Sequence, residues 1–136
     1  MWIVPGEPVS LGILPRLVPD EVFYEFDIPM TFTARGEDGS LFLVHWCDED
    51  AEILRFVVTT TSDLIVKRLK SGHITLREGL DQAWTWVYDI GRRDGEKRGV
   101  WRVSADALPA KALPYPEVML FPELAHPSTP CRPGLS

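Results

Sequence analysis

The sequence predicts an α+β domain: a twisted, mainly antiparallel sheet of about five strands, meander first, with two short helices packed on one face. Three observations predict it. All 12 prolines lie outside residues 30–108, and because proline breaks helices and removes a ladder donor, regular structure concentrates in that stretch. Apolar residues around its start recur at every second position, the alternation of a half-buried strand. After Ser62 the spacing lengthens to that of helices, and near Trp84 it returns to two.

Each element follows in order. Val22, Tyr24, Phe26, Ile28, Met30, Phe32 and Ala34 fill the even positions, and Pro29 on the odd face bends this segment or splits it into two strands. Residues 35–40 form a turn, in which Asp38-Gly39 suits the positive φ angles of a tight hairpin. Leu41 to Cys47 is apolar on both faces and reads as a central strand. Asp48-Glu49-Asp50 turns the chain again, and Ile53 to Thr60 forms a third strand with Leu54, Phe56 and Val58 on one side. Ser62 caps a helix over Asp63 to Lys70, which carries Ile65 and Leu69 at i, i+4 and ends before Gly72. Thr75 and Glu78 have the spacing of a capping box, opening a short helix with Leu76 and Leu80 on one face. Trp84, Trp86, Tyr88 and Ile90 alternate as a further strand. The polar turn from Gly91 to Gly99 leads to a short strand at Val100–Val103, and Ser104 begins one capped helical turn before Pro109.

The ends differ from this core. Residues 1–21 read as an extended, proline-rich arm, 22–121 as a single domain, and 122–136 as a proline-rich tail that frays from Pro127 onward. A length of 136 residues suits one domain, and 40 of them are Leu, Ile, Val or Phe, enough for a core. No apolar run approaches the roughly 18 residues of a membrane span, and no signal-peptide succession opens the chain. Cys47 and Cys131 are the only cysteines, too few for a secreted disulfide framework, so the expected compartment is the cytoplasm. A net charge of −6 and a pI near 5.0 weigh against sequence-independent nucleic-acid binding, which comes largely from phosphate neutralisation.

Four groups of residues bear on chemistry. His45 and Cys47 lie two apart on one strand, so they share a face; the pair suits a nucleophile with its base, or the start of a zinc site. Neither constellation is complete in the sequence, and packed strand residues account for the same spacing. Asp48, Glu49, Asp50 and Glu52 cluster carboxylates without the Gly and late Glu of a calcium loop, and read as a solvated turn. Trp84, Trp86, Tyr88 and Trp101 form the densest aromatic group, suited to the core or to a protein contact. Arg92, Arg93, Lys97 and Arg98 give the one local basic surplus, on a turn without the glycine pattern of a phosphate loop.

Three segments carry a resemblance. Phe23-Tyr24-Glu25-Phe26-Asp27-Ile28-Pro29, then Leu41 to Trp46, then Ser71-Gly72-His73-Ile74-Thr75-Leu76-Arg77-Glu78 resemble a family of small bacterial domains of unknown function, with YEFD-P, LVxW and SGxITLRE segments. The similarity spans about residues 20–120 and implies a bacterial accessory domain; it assigns no catalytic residue.

The expected function is a non-enzymatic module that binds another protein, as an accessory part of the bacterial system the resemblance implies. Incomplete catalytic constellations, abundant aromatics and extended ends motivate it. Trp84, Trp86, Trp101, Arg92, Arg93, Lys97 and Arg98 are its candidate binding residues. Two alternatives come from other classes: a small enzyme using Cys47 as nucleophile and His45 as base, and a nucleic-acid-associated subunit using the 92–98 turn. No cofactor, metal or membrane is expected.

Overall fold

In the computed structural model, residues 1–5, 8–9, 16–82 and 84–121 are described. The proline-rich tail 122–136, with Cys131, lies outside the described residues, as does part of the N-terminal arm. Six strands form one antiparallel meander in sequence order: β1 (Pro19–Phe26), β2 (Ile28–Arg35), β3 (Leu41–Glu49), β4 (Ile53–Thr60), β5 (Trp84–Gly91) and β6 (Lys97–Ser104). Two short helices, α1 (Asp63–Ser71) and α2 (Leu76–Leu80), connect β4 to β5.

The sheet has six strands where about five were expected, because the long alternating segment is two strands. The break falls at Asp27, whose φ of 65° places it in the left-handed region that Asp tolerates better than bulky residues. Phe26 pairs with Ile28 across it. Pro29, the second residue of β2, lies opposite Glu25 beside a register shift and before the β2–β3 ladder begins at Thr31, so its missing donor is tolerated. A second difference is at β6, which begins at Lys97 rather than Val100. The hairpin closes early through Gly91 N–H to the Glu96 carbonyl (2.8 Å), and Gly95 takes a φ of 69° in the turn.

The helices form where local chemistry places them. Ser62 Oγ accepts from the Ile65 amide at 3.2 Å, and Gly72 ends α1 at φ 80°. Thr75 and Glu78 make both bonds of the capping box at the start of α2. Ser104 precedes a 3-10 turn at Ala105–Ala107 but makes no side-chain cap.

Core packing uses both faces of the sheet. On one, Leu69, Leu76 and Leu80 from the helices bury against Leu43 and Leu120, and Phe23 of β1 meets Phe121 edge-on. On the other, Phe32, Phe42, Val44, Phe56, Val58 and Tyr88 are fully buried or nearly so. There, rings on alternate strands meet across the strand between them: Phe32 with Phe56 and Phe42 with Trp86, both with centroids 6.1 Å apart. Deleting one such ring typically costs about 3–5 kcal/mol.

The two edges of the sheet differ. Beside β6, Pro8 bridges to Trp101 and the Val9 amide donates to the Val100 carbonyl at 2.7 Å. Val4 is buried with Val87 and Val103, and Trp2 packs against the same cluster. At the β1 edge, no described residue pairs with the outer side of the strand.

Candidate functional site

His45 and Cys47 do lie on one strand, but a bulge separates their settings. Trp46 pairs with Phe56 and Asp48 with Arg55, which leaves Cys47 as the extra residue. Thr31 Oγ1 and His45 Nδ1 are hydrogen-bonded at 2.9 Å on neighbouring strands. Burial pushes the Cys47 thiol up to about 12 and the imidazole of His45 down to about 4. A thiolate nucleophile needs the opposite: an electropositive setting and a depressed thiol pKa. Among the described residues, no three His, Cys, Asp or Glu side chains are placed to share a metal ion.

The most heavily built polar group is one the sequence reading passed over. Arg55 on β4 and Asp89 on β5 are cross-strand partners, and their side chains form a two-pronged pair with both N–H···O distances at 2.7 Å. Relative exposure is 6% for Arg55 and 2% for Asp89, so the pair is buried. Arg55 Nη1 also donates to the Trp2 carbonyl at 2.6 Å. The guanidinium lies 4.7 Å from the Trp2 ring centroid and 5.7 Å from that of Trp101. Burial works against its charge, but the hydrogen bonds and charge of Asp89 more than offset this and raise its pKa. Gly99 makes room for the group, since a Cβ there would overlap the Trp101 ring. A signal was present in the sequence: Arg55 and Asp89 are single opposite charges within otherwise uncharged strands. The group ties the N-terminal segment to the sheet.

The basic turn and the carboxylate turn meet. Arg92 pairs with Glu49 at 2.6 Å and donates through Nε to the Asp50 carbonyl at 3.0 Å, so it joins two hairpin tips. Asp50 accepts from the Glu52 and Ile53 amides, both at 2.8 Å, and these bonds lower its pKa. Arg98 pairs with Asp94 at 2.7 Å within the turn, which lowers the pKa of the carboxyl. Arg93 and Lys97 are exposed. Of the aromatic candidates, Trp86 is half-buried against Phe42 and Trp101 is half-buried beside Arg55. Trp84 opens β5 opposite Ser104, and its side chain lies outside the described residues. The structure therefore gathers Trp101 into the Arg55 group and Arg92 into the hairpin contact, and among the described side chains brings no larger set of the candidates together. A cleft of about 400 Å³ between α2 and the 3-10 turns is lined by Arg77, Glu78, Asp81 and Asp106 among others, with no cysteine or histidine.

The largest departure from expectation is at β1. Alternation predicts that Val22, Tyr24 and Phe26 are the inward side of a half-buried strand. In the structure they are 41%, 55% and 65% exposed, while Met30, Phe32 and Ala34, which continue the same alternation in β2, are buried. The reason is position: β2 is covered by its neighbours, whereas β1 is the end of the sheet. Phe23 is the β1 side chain that packs inward.

Fold and surface define a class: an α+β protein built on an antiparallel meander, with one edge of the sheet flanked by its own chain and the other paired by no described residue. Comparisons with family models, curated proteins and solved structures found no match. Among the described residues, no helix is long and apolar enough to cross a membrane.

Proposed function

We propose that the protein is a non-enzymatic interaction module that holds another protein at the open β1 edge of its sheet. One observation carries this reading: an eight-residue edge strand leaves the large apolar side chains Val22, Tyr24 and Phe26 exposed. Exposed edges promote strand addition, and proteins ordinarily cover them or make them polar. Tyrosine is also among the residue types enriched at energetic centres of interfaces. The free thiol of Cys47 fits a reducing compartment, and the reading places the module in the cytoplasm as an accessory part of a bacterial system.

The other classes draw less support. A Cys47–His45 enzyme would need a thiolate where burial favours the thiol. A nucleic-acid subunit would rest on a turn in which Arg92 and Arg98 already serve Glu49 and Asp94. The test is photo-cross-linking in the cells that make the protein. With p-benzoylphenylalanine at position 24, one discrete higher-mass adduct is expected, whose second component mass spectrometry identifies. The same group at position 106, beyond β6 at the other end of the sheet, should give none. Absence of an adduct at position 24 overturns the reading.

A further inference from the structure

Resting on that reading, we infer that the occupant of the β1 edge is an extended segment of a different protein that carries both basic and apolar residues. From Val18 to Ile28 the chain carries Asp20, Glu21, Glu25 and Asp27 and no base. Two of these carboxylates have partners in the fold: Asp20 lies 3.7 Å from Arg35, and Glu21 accepts from Lys70 at 2.7 Å. Glu25 and Asp27 are exposed and make no side-chain hydrogen bond or ion pair with any described residue. They flank Phe26, the most exposed large apolar side chain of the strand.

A strand added at this edge meets two demands at once. Its backbone takes up the outer donors and acceptors of β1. Its side chains meet apolar Val22 and Phe26 on one side of the sheet and Tyr24 with Glu25 on the other, and the turn residue Asp27 lies at the end of the strand. Apolar and acidic groups are thus interspersed along the edge, and a segment that mixes apolar with basic residues satisfies both. A second copy of this chain does not. Pairing β1 with itself would set acidic strands against each other, in molecules that each carry a net charge of −6. The charges thus admit a cationic partner strand and oppose self-assembly.

The test uses the full ¹⁵N-labelled chain and three blocked heptapeptides of alternating pattern. Each places valine or isoleucine between lysines, threonines or glutamates. Expected results are amide shifts centred on residues 19–26, with the lysine peptide binding at least about tenfold tighter than the threonine peptide at low salt. That advantage should shrink in high salt, as screening requires. In a Glu25→Gln/Asp27→Asn variant the lysine peptide should lose affinity at least about threefold while the threonine peptide is unchanged. Equal affinity for the lysine and threonine peptides overturns the charge selection and leaves the docking reading standing. No β1 shift with any of the three peptides overturns both. A concentration-dependent dimer with β1 shifts in the absence of peptide overturns the exclusion of a second copy.

Discussion

Replacing Asp89 with Leu should be among the most damaging single changes in this protein. Arg55 would keep its charge in a site where its relative exposure is 6%, with both carboxylate contacts at 2.7 Å removed. Breaking a buried pair on one side typically costs about 3–5 kcal/mol, because the surviving charge is left without compensation. Total stability for a domain is only about 5–15 kcal/mol, so the loss should lower the thermal midpoint by about 10–20 °C. The sharper statement concerns the partner. Arg55→Met with Asp89→Leu removes both charges and fills the site with apolar side chains, one of them between the Trp2 and Trp101 rings. That double variant should be more stable than Asp89→Leu alone, even though the Trp2 carbonyl loses its donor. Urea unfolding of the wild type, both single variants and the double variant gives the coupling energy directly. A loss below about 1 kcal/mol for Asp89→Leu, or a double variant no more stable than it, would refute the argument that this pair is held as a buried unit.

Two further outcomes follow from the same strands. His45 is held down to about 4 against an ordinary 6.5, so between those values the unfolded chain binds the proton and the folded one does not. Stability should therefore fall as pH drops from 6.5 towards 4, and His45→Gln should flatten that part of the pH–stability curve. Cys47, pushed up to about 12 from 9.0, should react slowly with a disulfide reagent at pH 8. In a Cys131→Ser background, labelling at least about a hundredfold slower than free cysteine is expected, and rapid labelling would restore the nucleophile reading.

Much of the fold was legible because local chemistry and global packing agree there. Ser62, Gly72 and the Thr75–Glu78 box mark the helix ends as caps do in general. Strand β3 reads as central from its two apolar faces and is one of the two middle strands. The strand count was harder, since Asp27 breaks the alternation by backbone conformation and leaves the side-chain pattern untouched. The Arg55 group was hidden for a different reason. It joins Trp2, Arg55, Asp89 and Trp101, whose proximity depends on strand register and on where the N-terminal segment runs. Pattern along the chain carries neither.

At β1 the sequence and the structure part company in an informative way. The strand is written as a core strand, with Val22, Tyr24 and Phe26 in alternation, yet it is placed where they stay 41–65% exposed. Such conflicts between local pattern and final position tend to fall at functional sites. Edges that must merely stay inert are made polar, shortened or bulged. β1 has register shifts and four carboxylates nearby, but it keeps three large apolar side chains exposed. The two features pull in opposite directions for inertness and in the same direction for selectivity. The exposed apolar side chains give a partner strand something to cover, and the carboxylates raise the cost for copies of the same acidic chain. Polar residues at all three apolar positions would have removed both the hazard and the site.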